Sequence, residues 1–184
     1  MHHFDPPPPP PSRHREMWFW FIGVAILVVP GLLVMAVRGA AAGFKCVPGP
    51  QICHGLPIGD ALKYALQFSW FIAMDTLFSI GVAFVASLAA LKARRPLLAA
   101  LTMLITPMLA LVLPWLGVYT SLYPDCAPNE EGVGDCVLWG THMGMSVHNA
   151  ATAEQIVFGN VAYTFAIALM IGALGLLFFR PHNR

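Results

Sequence analysis

Long uncharged stretches alternate with polar segments along this chain, and their lengths predict membrane-spanning helices. Residues 17–37, 97–122 and 156–179 carry no charged side chain, and residues 64–91 carry one, Asp75. Each stretch reaches the roughly 20 residues that a helix needs to cross a ~30 Å hydrocarbon layer. The pattern therefore predicts four transmembrane helices, at about 17–38, 63–92, 96–122 and 154–179.

The composition agrees with this hydrophobic pattern. Hydrophobic residues make up 58% of the 184-residue chain and charged residues only 10%, whereas charged residues are about a quarter of a typical soluble domain. A formal net charge of +1 gives no indication of binding to nucleic acid. We expect the partners to be the lipid bilayer and other membrane protein subunits.

The distribution of lysine and arginine predicts how these helices are oriented. In membrane proteins the cytoplasmic loops carry an excess of these residues. One set lies in the two tails and the 92–96 turn: Arg13, Arg15, Lys92, Arg94, Arg95, Arg180 and Arg184. The smaller set lies in or beside the long loops: Arg38, Lys45 and Lys63. The sequence therefore predicts an all-α, up-down bundle of four transmembrane helices in a bacterial inner membrane, with both termini in the cytoplasm and both long loops in the periplasm.

Three segments make up the predicted organisation. Residues 1–16 form a proline-rich cytoplasmic tail, residues 17–179 the four-helix domain with periplasmic loops at 39–62 and 123–153, and residues 180–184 a short cytoplasmic tail. The prolines at positions 6–11 favour the extended polyproline II conformation, and we favour a spacer or a disordered tail over a docking strip for the aromatic groove of a partner. In the second loop, Trp139 is predicted to anchor residues 139–153 along the membrane interface.

All four cysteines lie in the two loops that the charge pattern assigns to the periplasm. Cys46 and Cys53 are in the first loop, and Cys126 and Cys136 are in the second. Disulfides persist in that oxidising compartment. Four cysteines allow three pairings, and the presence of one pair in each loop favours pairing within loops over pairing between them. We expect each pair to form a structural disulfide that closes part of its own loop.

The same features allow a redox alternative. Four helices, cytoplasmic termini and two cysteines in each periplasmic loop resemble the topology of the disulfide-generating quinone reductases of the DsbB type. The resemblance implies that quinone oxidises the Cys46/Cys53 pair and that the Cys126/Cys136 pair passes the oxidation to a periplasmic thiol protein. That family separates its loop-one cysteines by two residues, whereas six lie between Cys46 and Cys53. It also has an arginine where Lys63 stands near the start of the second helix.

Histidine and methionine side chains in the loops are candidate metal ligands, because imidazole and thioether groups bind copper. The candidates are His54, His142, Met143, Met145 and His148. His54 would contribute only if the two loops meet. The Cys53-His54 dipeptide also ends like a haem-attachment motif, but the preceding cysteine is too far away for the usual two-residue spacing. We favour histidines in solvent and methionines in the membrane interface over a metal site.

Asp75 is the one charged residue within the four long apolar stretches, and a carboxylate near the bilayer centre costs roughly 2.5–3.5 kcal/mol on insertion scales. Other polar residues at a similar predicted depth can satisfy it, and together they form a predicted intramembrane cluster: Asp75, Thr106, Asn160, Tyr163 and Thr164. The last three share one helix face by their spacing. We favour a hydrogen-bonded clamp between helices over a site for a proton or a quinone headgroup.

No motif in the chain specifies an activity. We therefore expect an accessory or assembly subunit of a larger membrane complex, for example a respiratory or other redox complex, without catalytic activity of its own. The first alternative is a periplasm-facing thiol–quinone oxidoreductase of DsbB-like topology, with quinone as its cofactor. The second is a copper- or haem-linked membrane redox protein.

Overall fold

The computed structural model describes residues 13–121, Cys126 and residues 136–178, and this part of the chain is mostly helical. Within these described residues, five helices and one two-stranded hairpin follow in this order: α1 (Arg13–Gly43), α2 (Ile58–Ala73), α3 (Thr76–Lys92), α4 (Pro96–Tyr119), β1 (Val137–Leu138), β2 (Thr141–His142) and α5 (Gly144–Phe178). The proline run of the N-terminal tail and the C-terminal tail lie outside the described residues.

Two helices are each long and apolar enough to cross a membrane. The first candidate span is His14–Gly43 of α1, with 30 residues, and the second is Pro96–Tyr119, which is all 24 residues of α4. Two more candidate spans result if helical segments joined at a bend count as one. These are α2 with α3, bent by 75°, and the two halves of α5, bent by 45° between Gly144–Gly159 and Val161–Gly175. The described chain therefore has two to four candidate spans, as expected for a membrane protein.

The second predicted helix, 63–92, is wrong as one continuous helix. α2 begins earlier, at Ile58, and ends at Ala73, and α3 begins at Thr76. Asp75 lies between them, and its Oδ1 atom accepts a hydrogen bond of 3.0 Å from the backbone N–H of Phe78. An aspartate that satisfies a free N–H group at a helix start is a favourable N-cap. The residue that was predicted to lie within a helix therefore starts a new one.

The last helix also differs from its predicted bounds. α5 begins at Gly144 rather than near residue 154, so it includes most of the segment predicted to lie along the membrane interface. The Thr152 hydroxyl donates to the carbonyl of His148 at 3.1 Å, as residues inside a helix do. A hairpin precedes α5, with Val137 opposite His142 and Leu138 opposite Thr141. This part of the second loop is therefore regular structure next to the start of α5.

α4 is the central helix, because it packs against α1, α3 and α5 and also contacts α2. Glycine makes the α1–α4 contact close: a Cβ atom at Gly117 would lie only 2.2 Å from a methyl carbon of Val34. Small residues at such contacts let helix backbones approach in membrane proteins. A hydrogen bond of 2.8 Å from Trp20 Nε1 to Thr102 Oγ1 joins the same two helices.

Both disulfides close within single loops. Cys46 pairs with Cys53, and Cys126 pairs with Cys136. This confirms the pairing within loops that the sequence favoured. Cys53, Cys126 and Cys136 belong to the continuous hydrophobic core, and Cys46 packs against it. This core therefore extends from the bundle into the loops.

Candidate functional site

The two cysteine-bearing loops lie against each other at one end of the bundle. We call this region the cap, formed by residues 44–57 of the first loop and residues 136–142 of the second. The backbone N–H groups of Trp139 and Gly140 donate to the carbonyls of Gly49 and Pro50 at 2.8 and 3.0 Å. The indole N–H of Trp139 donates to the carbonyl of Val47 at 3.0 Å. Hydrogen bonds thus join the disulfide-closed segment to the hairpin.

The hairpin turn has an unusual residue at its first central position. Trp139 and Gly140 have positive φ angles of 48° and 79°, the pattern of a type I′ turn. Glycine adopts this conformation freely, whereas tryptophan does so at an energetic cost. The Trp139 side chain is only 2% exposed, so its burial and its hydrogen bonds offset that cost. Trp139 is therefore the centre of the cap, and its predicted role as a membrane-interface anchor is wrong.

Arg38, near the end of α1, connects the cap to the bundle. Its guanidinium carbon lies 5.4 Å from the ring centre of Trp139, which is a cation–π geometry. Its Nε atom donates to the Thr120 hydroxyl at 3.3 Å, and its Nη2 atom donates to the Thr120 carbonyl. Because Thr120 ends α4, the arginine also places positive charge at the negative end of that helix. One side chain thus links α1, α4 and the hairpin.

A further hydrogen bond ties the hairpin to α2. The Thr141 hydroxyl donates at 2.9 Å to Oδ1 of Asp60, which lies in the first turn of α2. Beside it, a Cβ atom at Gly59 would lie 2.6 Å from both Thr141 Oγ1 and the carbonyl oxygen of Trp139. The hairpin therefore packs directly on the backbone of α2, and a residue larger than glycine would push the two apart.

Three apolar side chains of the first loop are exposed, next to the exposed polar residues Lys45, Gln51 and His54. Phe44, Val47 and Ile52 are 54, 80 and 63% exposed. Val47 and Ile52 lie within the segment that the Cys46–Cys53 disulfide closes, and the hairpin holds the backbone of that segment. These two side chains are therefore presented in a fixed arrangement, which is suited to contact with another protein.

The disulfides are buried as structural bonds are. Cys53, Cys126 and Cys136 are 6, 1 and 4% exposed, and Cys46 is half-buried. Thiol–disulfide exchange requires a thiolate to reach one of the sulfur atoms. Burial restricts that approach at Cys126–Cys136 and leaves Cys46 as the more accessible side of the other bond. This arrangement favours the structural interpretation over the thiol–quinone alternative.

The candidate copper ligands face different environments. Met143 is 3% exposed and belongs to the core, whereas Met145 is 61% exposed. His54, His142 and His148 are exposed. Across residues 13–121, 126 and 136–178, no group of three or more histidine, cysteine, aspartate or glutamate residues is placed to hold a metal ion. The loops do meet, as ligation by His54 would require, but the positions of these side chains do not support the copper hypothesis.

The side chains predicted to surround Asp75 are elsewhere. The carboxylate of Asp75 is exposed and caps α3. Thr106 is buried, and its hydroxyl donates at 2.7 Å to a carbonyl one turn earlier in α4. Tyr163 is 68% exposed. The described members of the predicted cluster therefore do not converge on the carboxylate.

A smaller polar contact lies nearby. Thr164, 2% exposed, and Ser79, 4% exposed, line a narrow cavity between α3, α4 and α5. Their hydroxyls donate to the carbonyls of Val161 and Thr76, at 3.1 and 3.2 Å, within their own helices. The side chain of Asn160 lies outside the described part of the structure. Hydrogen bonding within the helices favours a packing role for these hydroxyls over proton transfer.

A cavity of 220 Å³ lies between α4 and α5, and its position and lining make it a candidate to compare with the quinone hypothesis. Among the residues whose side chains the structure describes, the lining consists of Trp115, Val112, Ala153, Val157 and Phe158, and only the Trp115 indole N–H is polar. The indole N–H of Trp115 is buried without a hydrogen-bond partner among the described residues. One neutral donor would satisfy one carbonyl of a quinone and leave the other to the apolar wall, which is costly.

Sequence reasoning missed the roles of Arg38, Thr120 and Thr141. The hairpin itself left a signal, because a residue followed by Gly140 separates two short segments suited to strands. Arg38 was visible as a lone cation at the end of the first apolar stretch. Its partner was not predictable, because the hydrogen bonds to Thr120 join positions 82 residues apart.

No protein-family model, curated protein or solved structure matches this chain. The fold and the site define its class: a helical membrane protein with a disulfide-closed cap at one end of the bundle.

Proposed function

We propose that this chain is a small multi-pass subunit of a bacterial inner membrane, which binds to or helps assemble a larger membrane complex through its cap. The observation that carries the proposal is the exposure of Val47 and Ile52 on a segment held by a disulfide and by the hairpin. Apolar side chains on a fixed backbone bind a partner without the cost of ordering a loop. A respiratory or other redox complex is one such partner.

The proposal includes four spans, with the cap in the periplasm and both termini in the cytoplasm. α3 has 17 residues, about 25 Å at 1.5 Å per residue, which is close to the ~30 Å hydrocarbon thickness. With Lys92 at the cytoplasmic surface, as the excess of lysine and arginine indicates, Asp75 would lie near the periplasmic surface. The exposed carboxylate and the start of a new helix at that point support this placement.

The test is site-specific photo-crosslinking in intact cells. A photoreactive phenylalanine analogue replaces Val47 on the cap, and the matched control carries it at Leu97, a 73% exposed residue at the opposite end of the bundle. We expect the Val47 position to yield one discrete adduct with a membrane protein and the Leu97 position to yield none of that mass. Absence of a discrete adduct at Val47, in protein that retains both disulfides, would overturn the proposal.

A second measurement uses the unlabelled chain. Val47→Ser combined with Ile52→Ser should reduce the amount of complex recovered after gentle extraction by about tenfold, equivalent to 1.4 kcal/mol of binding free energy. Leu97→Ser is the control and should leave recovery unchanged. Native mass measurement that finds only a lone 20.0 kDa chain for the wild type would contradict the proposal directly.

A further inference from the structure

An open groove runs along the outer face of the α1 and α3 helix pair. Its volume is 640 Å³, within the roughly 300–1,000 Å³ of ligand sites in proteins. Its walls are apolar, with Phe19, Ile22 and Ile26 from α1 and Leu77, Val85 and Leu88 from α3. We call it the α1–α3 groove.

The groove is long enough for an extended hydrocarbon chain. Between Leu77 and Lys92, both of which line it, α3 rises about 22 Å at 1.5 Å per residue. One leaflet of a bilayer contributes about 15 Å of hydrocarbon depth, half of the ~30 Å total. The apolar walls therefore extend at least as far as one acyl chain does.

One end of the groove is charged and the other is not. Arg15 and Glu16 of α1 and Lys92 of α3 line the charged end, whereas Leu77 and Phe78 line the opposite end. The two cations outnumber the one carboxylate. Arginine and lysine favour a phosphate group through charge-assisted hydrogen bonds, and cations beside a bilayer favour anionic lipids. The lining is therefore complementary to an amphiphile with an anionic head and a long apolar tail.

Gly81 keeps the middle of the groove open. It lines the groove, and a Cβ atom built on it would meet no atom within 4 Å. Gly23, which also lines the groove, has a different role, because a Cβ atom there would lie 2.8 Å from Cβ of Ala86 on α3. A larger side chain at Gly81 would therefore occupy the groove without disturbing the contact between the two helices.

We propose that the α1–α3 groove binds one anionic glycerophospholipid, with its phosphate at Arg15 and Lys92 and an acyl chain along the walls toward Leu77. A neutral quinone would leave the cationic end unused. The inference requires the chain to lie in a membrane, but it does not depend on the proposed docking through the cap. Loss of lipid binding would contradict the groove proposal alone, and loss of the Val47 adduct would contradict the docking proposal alone.

The test is native mass spectrometry of the full chain released from nanodiscs that contain equal amounts of phosphatidylglycerol and phosphatidylethanolamine. We expect the wild type to retain one phosphatidylglycerol, with a preference of about tenfold over phosphatidylethanolamine. Gly81→Leu should abolish this retention. Its matched control is Gly39→Leu, because Gly39 lies in the same helix pair outside the groove and a Cβ atom there also meets nothing within 4 Å.

A charge variant tests the headgroup end independently of the groove's shape. Arg15→Gln combined with Lys92→Gln should remove the preference for phosphatidylglycerol. Arg94→Gln combined with Arg95→Gln removes the same charge from the neighbouring turn, outside the groove lining, and should preserve it. Equal retention of both lipids by the wild type, or equal loss in both double variants, would overturn the proposal. A wild-type dimer that Gly81→Leu dissociates would also overturn it, since a second copy would then fill the groove.

Discussion

The cap and the α1–α3 groove both use large apolar side chains, yet one is closed and the other open. In the cap, Trp139 is 2% exposed and is held by hydrogen bonds to the first loop. Along the groove, Phe19 and Leu77 are 56 and 86% exposed. In water, burial of apolar surface drives closure, whereas lipid solvates such side chains as well as another helix does. Apolar burial and hydrogen bonds together close the cap, whereas apolar side chains that face lipid, as along the groove, have no comparable drive to close.

The largest expected effect comes from removing the ring at the centre of the closed region. Trp139→Ala deletes a buried indole and its hydrogen bond, and truncations of this kind cost about 3–5 kcal/mol. We expect protease cleavage to appear in residues 44–57 while the helical circular dichroism signal is retained. Trp18→Ala is the control, since this ring is 55% exposed at the other end of α1, and it should change stability by less than about 0.5 kcal/mol. Equal cleavage of the two variants would contradict the central role of Trp139.

Removing a disulfide should have a smaller effect, about 2–3 kcal/mol for closures across the sequence separations of 7 and 10 residues observed. In the folded protein, a thiol buffer should reduce Cys46–Cys53 first, because Cys46 is only half-buried. Cys126–Cys136 should persist until the protein is denatured. Alkylation followed by mass measurement distinguishes the two pairs. If both titrate together in the folded protein and quinone re-oxidises them, the thiol–quinone alternative would replace the structural interpretation.

The smallest effect is expected at Asp75. This residue lies between α2, on which the hairpin of the cap packs, and α3, which lines the α1–α3 groove. Asp75→Ala removes the N-cap of α3 and should cost about 1 kcal/mol, whereas Asp75→Asn keeps a capping oxygen and should be close to the wild type. Thermal unfolding in detergent, followed by circular dichroism, measures both. A folded Asp75→Asn protein that no longer supports the assembly of its complex would favour proton chemistry at this residue instead.

The apolar spans and the disulfide pairing were accessible from the sequence because they depend on local properties. A run of about 20 apolar residues predicts a helix in lipid whatever surrounds it. Likewise, Cys46 and Cys53 lie close in the chain, as do Cys126 and Cys136, so a pair within one loop needs no knowledge of the tertiary fold.

The break at Asp75 and the packing of the hairpin depended on information that hydrophobicity does not carry. Ala73 and Thr76 lie in one nearly uncharged stretch, yet α2 ends at the first and α3 begins at the second, with Asp75 as the N-cap of α3. Trp139 followed by Gly140 was compatible with an interfacial anchor as well as with a turn. The hydrogen bonds that Trp139 and Gly140 donate to carbonyls of the first loop distinguish the turn from the anchor, and those carbonyls belong to a distant part of the chain.

The hydrogen bond between Trp139 and Val47 has a consequence for the order of biosynthesis. Its two ends are 92 residues apart, and α2, α3 and α4 lie between them. Such long-range contacts form late, because the chain entropy of the intervening segment is lost before they contribute. The first loop therefore leaves the ribosome without the partner that holds it, and it acquires its fixed shape only after the hairpin has been synthesised. The cap is therefore completed only after α2, α3 and α4 have been synthesised.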